Sequence, residues 1–131
     1  MSRVEICSEQ DIVLARQVAR RAAIGLGFSL VDQTRIITAV SELARNIYTY
    51  AVKGWMTVQE LNQHTGVVGL EFLFEDQGPG IDDLQMALTA GYSSGQGLGL
   101  GLSGAKRLMD EFDLHSIPGQ GTIVRVVKWT K

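Results

Sequence analysis

Residues 67–80 read Val67-Val68-Gly69-Leu70-Glu71-Phe72-Leu73-Phe74-Glu75-Asp76-Gln77-Gly78-Pro79-Gly80. Six of the first eight, Val67, Val68, Leu70, Phe72, Leu73 and Phe74, are apolar strand formers, so residues 67–74 predict a buried β-strand. That strand runs directly into a carboxylate and two glycines. An aspartate leaving a buried strand faces the pocket that opens at the strand's end. Its carboxylate accepts a hydrogen bond from an exocyclic amine, as adenine N6 would supply. Gly78 and Gly80 leave room for a flat ring against the backbone. Asp, Gly and Pro are also the common turn formers, so the stretch by itself also reads as a plain turn.

Working towards the N-terminus, residues 55–61 predict a strand and residues 62–66 a turn. Before them lie two helices. Ser8 caps the first, with Asp11 three residues later as a weak capping box. Ile12, Ala15, Val18, Ala19, Ala22, Ala23 and Leu26 recur at helical spacing, and Gly25 and Gly27 stop the helix. Ser29 opens the second, with Asp32 three residues on. Ile36, Val40, Leu43, Ile47 and Tyr50 form its apolar stripe, and Gly54 is expected to close it. Residues 3–7 alternate Val4 and Ile6 with polar neighbours, a short strand. On the second helix Glu42 and Asn46 lie four apart and share a face. A carboxylate and a carboxamide oxygen one turn apart can address a hard cation or its waters. A solvated helix face carrying a polar pair has the same pattern.

Towards the C-terminus, residues 83–90 predict a short helix. A glycine tract over residues 91–104 follows and merges into a helix through Met109. Residues 112–117 are a strand, residues 118–121 a tight turn and residues 122–129 a final strand. The order is strand, two helices, two strands, two helices, two strands. It predicts a single α+β domain over residues 1–131. The expected architecture is a two-layer sandwich, with a mixed, mostly antiparallel sheet carrying helices on one face.

Within the glycine tract, Gly95-Gln96-Gly97-Leu98-Gly99-Leu100-Gly101-Leu102 places glycine at every second position. Such a backbone can turn its amide N–H groups towards an anion. The N-terminus of the following helix adds its partial positive charge at the same place. Gly-Ser linkers also concentrate glycine, although they rarely carry regularly spaced leucines. Gly99, Gly101 and Gly104 satisfy G-x-G-x-x-G, but the residues before them do not read as a strand, which argues against a dinucleotide fold. The chain contains no G-x-x-x-x-G-K-[ST], no H-R-D and no D-F-G, so neither a P-loop nor a eukaryotic-type kinase is expected.

Composition fits this picture. The 131 residues are 45% hydrophobic and 20% charged, the balance of a globular domain. A net charge of −2 gives no electrostatic footprint for nucleic acid. No apolar run approaches the ~18 residues of a membrane span, and no secretory signal is visible. One cysteine, Cys7, cannot form an internal disulfide, which fits a cytoplasmic setting. It reads as a small core residue rather than a nucleophile. His64 and His115 lack partners at zinc spacing.

Together these features carry a resemblance. A helical E-x-x-x-N (Glu42, Asn46), a strand ending in D-x-G-x-G (Asp76, Gly78, Gly80), and a glycine-rich loop before a helix come in the order seen in the GHKL ATPase/kinase superfamily. Gly119-Gln120-Gly121-Thr122 matches the G-x-G-T that opens a late strand in many members. The stretches S-E-L-A-R-N-I-Y (residues 41–48), E-D-Q-G-P-G-I (residues 75–81) and K-R-L-M-D-E-F (residues 106–112) resemble the anti-sigma-factor kinase branch. Within that branch they most resemble the RsbT-type serine/threonine kinases, the switch kinases of the bacterial stressosome.

The resemblance implies ATP and Mg²⁺ as cofactors, with Asn46 holding the metal. It implies that Asp76 binds the adenine amino group and that Thr122 helps through its hydroxyl, with Gly78 and Gly80 shaping the adenine floor. Gly95, Gly97, Gly99, Leu100 and Gly101 would line the phosphate side. Glu42 would orient or deprotonate the attacking hydroxyl, and Arg45 would touch a phosphate or the partner. STAS-domain proteins of the stressosome are the implied substrates. A PP2C-type phosphatase or similar regulator is the implied downstream partner, with no nucleic acid or membrane involved. A non-catalytic alternative is an anti-sigma factor or ATP-binding switch module acting by sequestration.

Overall fold

The computed structural model describes residues 2–51, 53–62, 66–77, 101–117 and 119–130. Five strands form one open sheet: β1 (Ser2–Ile6), β2 (Gly54–Asn62), β3 (Val68–Asp76), β4 (Glu111–Ile117) and β5 (Gly121–Trp129). Their order in space is β1-β2-β3-β5-β4, and every pairing is antiparallel. Among the described residues three α-helices accompany the sheet: α1 (Glu9–Gly25), α2 (Leu30–Asn46) and α3 (Gly101–Leu108). α2 is the middle helix, packed between α1 and α3. The predicted two-layer α+β sandwich is the fold observed. The helix predicted over residues 83–90 lies outside the described residues.

The helices start where their capping residues stand. Ser8 and Ser29 both have extended backbone, and each side-chain oxygen accepts from the amide three residues on, Asp11 N at 3.3 Å and Asp32 N at 3.1 Å. Each cap satisfies an amide that the first helical turn leaves without a partner. From α1, Ile12, Ala15, Ala19 and Ala23 are buried; from α2, Ile36, Ala39, Val40, Leu43 and Ala44 are buried. Their spacing of three and four places each set on one side of its helix.

The sheet follows a period of two. On the helix side, Val4, Met56, Phe74, Val124 and Leu114 form one row across the five strands, and Val58, Phe72, Val126 and Phe112 form the next. The other face carries a polar lattice. Arg125 donates from Nε to Glu71 Oε2 at 2.6 Å and from Nη1 to Glu111 and Asp113, each at 3.1 Å. The indole nitrogens of Trp55 and Trp129 donate to Glu75 (2.8 Å) and Glu111 (2.7 Å). Arg3 lies 4.7 Å above the Trp55 ring, a cation–π contact. The antiparallel hairpins explain how one face can be dry and the other wet.

Two expectations are corrected. The second helix does not run on to Gly54. It ends at Asn46, continues as a π-helical turn over Ile47–Ala51, and Gly54 is the first residue of β2. The run Ile47-Tyr48-Thr49-Tyr50 is β-branched and aromatic, which loses side-chain freedom in a helix. Gly54 serves as a close approach: a Cβ there would stand 2.8 Å from Ile47 Cγ2 and collide with the Glu75 carbonyl. Cys7 is exposed rather than part of the core, because it has the phase of the exposed Arg3 and Glu5, opposite to that of the buried Val4 and Ile6. Its thiol lies 3.5 Å from Asp11 Oδ2, and that hydrogen bond raises its pKa, which does not favour a reactive thiolate.

Candidate active site

α2 determines which end of the sheet receives its functional residues. At its start, Asp32 Oδ1 lies 3.8 Å from Lys128 Nζ, which also bonds Asp110 Oδ1 at 3.1 Å. Lys128 is buried on the helix side near the end of β5. A 17-residue helix is about 25 Å long. The six residue steps of strand from Lys128 back to Thr122 cover about 20 Å. α2 therefore crosses the sheet and finishes at the opposite end. Ile47, the residue after it, sits against Gly54, the cross-strand partner of Asp76. Glu42, Arg45 and Asn46 thus reach the Asp76 end of the sheet. Glu42 and Asn46 are half-buried and Arg45 is exposed.

At this end the apolar rows give way to a polar one. Gly54, Asp76, Thr122 and Ser116 are register partners across β2, β3, β5 and β4. They continue the inward phase of Phe74, Val124 and Leu114. The strand predicted to end at Phe74 continues to Asp76, so the carboxylate is carried by the last ladder residue rather than by a loose turn. Thr122 Oγ1 lies 3.0 Å from Ser116 Oγ, which also donates to the Gly121 carbonyl at 3.1 Å.

Two glycines flank Asp76. A Cβ on Gly54 would stand 3.0 Å from Asp76 Cβ. A Cβ on Gly121 (φ 124°) would collide with the Asp76 carbonyl and stand 3.0 Å from Gln77 Cα. The chain around Asp76 is held between two strands that carry no side chain where they pass it. Gly121 belongs to the G-x-G-T match, whereas the packing roles of Gly54 and Ser116 escaped the sequence reading. For Ser116 there was a signal: it is a polar residue at the inward phase of Phe112 and Leu114.

Of the other predicted site residues, Gly101 is the first residue of α3 and belongs to the helix rather than to the loop before it. Gly78, Gly80, Gly95, Gly97, Gly99 and Leu100 lie outside the described residues. A cleft of about 300 Å³ lined by Arg3, Glu5, Ala51, Lys53, Trp55 and Gln77 contains none of the predicted site residues. Its strand residues Arg3, Glu5 and Trp55 have the register phase opposite to Asp76, so the cleft is on the wet side of the sheet.

The donor set bears on the expected metal. Among the described residues no three or more His, Cys, Asp or Glu side chains cluster to hold an ion. Asn46 offers a neutral oxygen at a helix end, with Glu42 one turn before it. That suits a hard cation held largely by water and phosphate oxygens, the usual habit of Mg²⁺. Asn46 is thus compatible with the metal role.

The chain matches the family model for histidine kinase-, DNA gyrase B- and HSP90-like ATPases over residues 22–130. It belongs to that family. It is 52% identical to the serine/threonine-protein kinase RsbT of Bacillus subtilis (strain 168), across 98% of this chain and 96% of the relative. It is 30% identical to an anti-sigma F factor of Thermoanaerobacter sp. (strain X514), across 95% of this chain and 89% of that protein. The chain is thus a GHKL ATPase domain and a homologue of a protein serine/threonine kinase. Among solved structures, a Mycobacterium tuberculosis chain comprising RsbU and RsbW domains matches its fold at a TM-score of 0.61 and 17% identity, over 98% of this chain and 32% of that one. Full-length ShkA, solved in complex with AMPPNP, matches at a TM-score of 0.55 and 18% identity, over 89% and 28% of the two chains. No helix among the described residues is long and apolar enough to cross a membrane.

Proposed function

We propose that the chain is a single-domain cytoplasmic protein serine/threonine kinase that uses Mg·ATP to phosphorylate STAS-domain proteins of a bacterial stressosome. In the same reading, the released kinase binds and activates a downstream regulator such as a PP2C-type phosphatase. The observation that carries the enzymatic part is the convergence on one sheet end of Asp76 and Thr122 with the helix bearing Glu42 and Asn46. The 52% identity to RsbT over nearly the whole length supports the choice of hydroxyl acceptor.

Each residue has a chemically suited task. Asp76 accepts from the adenine amino group, with Thr122 beside it, and Gly78 and Gly80 leave space for the ring. Gly95, Gly97, Gly99, Leu100 and Gly101 bring backbone to the phosphates. Asn46 offers its carboxamide oxygen to Mg²⁺, which when bound neutralises phosphate charge. Glu42 orients or deprotonates the incoming serine or threonine hydroxyl. Arg45, exposed beside Asn46, is free to meet a phosphate or the partner. Phosphoryl transfer depends mainly on positioning and charge neutralisation, so this modest set suffices.

Incubation with labelled ATP and a STAS-domain partner tests the proposal. Phosphoserine or phosphothreonine on the partner is the expected result. The anti-sigma F relatives favour a second reading, sequestration of a sigma subunit. Stable capture of a sigma subunit with no phosphate on any STAS partner would establish it instead.

A further inference from the structure

Asp76 is the last ladder residue of β3, opposite Gly54 of β2. Strand ends open more easily than strand centres, and Gly54, lacking a Cβ, adds backbone freedom at this one. The side chains that stiffen it lie on the other face. Trp55 and Glu75 form the next register pair inwards and point to the wet side. The indole Nε1 donates to Glu75 Oε2 at 2.8 Å. An N–H bonded to a carboxylate is a strong, charge-assisted hydrogen bond. Arg3 of β1 stacks 4.7 Å over the same indole. Three strands are thus joined one residue before Asp76. Successive side chains of a strand point to opposite faces, so a bond that fixes Glu75 on the wet side also fixes the direction of Asp76 on the dry side.

We infer that Trp55 is a positioning residue for the nucleotide site: its indole, bonded to Glu75 on the wet face, holds the end of β3 so that the Asp76 carboxylate keeps one direction on the dry face. This rests on the reading of Asp76 as the base-binding residue. The indole stands on the face away from the ligand and acts through the backbone of residues 75 and 76. The same face holds a matched bond at the far end of the sheet, where Trp129 Nε1 donates to Glu111 Oε2 at 2.7 Å. Trp129 is the register partner of Gly69, about 23 Å along β3 from Asp76. The two bonds share their chemistry and differ in their distance from the site.

Calorimetric titration with Mg·ATP, alongside thermal melts, tests the assignment. Trp55→Phe keeps a ring beneath Arg3 and loses the donor. Its ATP affinity is expected to fall about 3- to 10-fold, the worth of one hydrogen bond. Trp129→Phe loses the matched bond and lowers the melting temperature as Trp55→Phe does, yet its ATP affinity stays within about 2-fold of wild type, as for a distant, independent position. Glu75→Ala weakens ATP binding as Trp55→Phe does. Glu75→Gln loses the same charge but keeps an acceptor oxygen, and it restores binding relative to Glu75→Ala. Combining Trp55→Phe with Glu75→Ala weakens binding by less than about 2-fold beyond either alone, because the two residues share one bond.

Unchanged ATP affinity in Trp55→Phe, or an equal loss in Trp129→Phe, overturns the inference. Additive losses in the double variant overturn it as well. If Trp55→Phe does not fold, equal affinities in Glu75→Ala and Glu75→Gln overturn it. Asp76→Asn separates the two levels. Loss of ATP binding in that variant with no effect of Trp55→Phe removes this inference and leaves the base-binding reading in place. Undiminished ATP binding in Asp76→Asn removes both.

Discussion

Asp76 contributes an acceptor carboxylate from the last ladder residue of β3, and Asp76→Asn changes one oxygen into a donor while keeping shape. We expect ATP affinity by calorimetry to fall at least about tenfold, since the proposed role of Asp76 would lose a charge-assisted hydrogen bond and set an N–H against an amine. Glu42 is a different case. It sits one helical turn before Asn46, half-buried, at the same end of the sheet. Glu42→Gln is expected to bind Mg·ATP like the wild type yet transfer phosphate to its partner about 100-fold more slowly or worse, the usual cost of losing a general base. Full transfer by that variant would show Glu42 to be a helix-face residue only. Both residues were legible in the sequence as candidates, because E-x-x-x-N and D-x-G-x-G are local patterns. The sequence could not identify Ser116 as the neighbour of Thr122, since that pairing joins residues of two strands across a turn and depends on register.

At the scale of elements, the helix starts were legible and one helix end was not. Ser8 and Ser29 cap α1 and α2 as their sequence positions imply. Ser29→Ala removes the acceptor for Asp32 N and is expected to cost about 1 kcal/mol, measured as a lower midpoint in urea unfolding with an unchanged slope. The end of α2 was misplaced because a glycine after an apolar stripe reads locally as a stop, and Gly54 is instead where β2 passes beneath Ile47. Gly54→Ala drives a methyl into the Glu75 carbonyl and to within 3.0 Å of Asp76 Cβ. It should both lower the melting temperature and weaken ATP binding. Gly25→Ala, whose added methyl meets nothing within 4 Å at the end of α1, should be neutral or slightly stabilising in the same thermal scan.

At the scale of the whole molecule, one sheet separates two chemistries. Its dry face buries the core against α1 and α2 and ends in the polar row of the site. Its wet face is tied by Arg125, Trp55 and Trp129 to four carboxylates, Glu71, Glu75, Glu111 and Asp113. The proposed kinase reading adds an expectation for the intact chain: ATP turnover is slow alone and rises when the protein substrate is present, because the acceptor hydroxyl comes from the partner. A steady-state ATPase rate that is high and indifferent to a phosphorylatable partner would contradict it. Sequence by itself determined the α+β class, the helix caps, the amphipathic faces and the candidate residues, since each is written in local spacing that the backbone's periods of 3.6 and 2 translate directly. Only the tertiary structure decided that α2 crosses from Lys128 to Gly54 and that Asp76, Thr122 and Ser116 form one row. Those outcomes depend on strand order and register, which are fixed by packing between residues far apart in the chain.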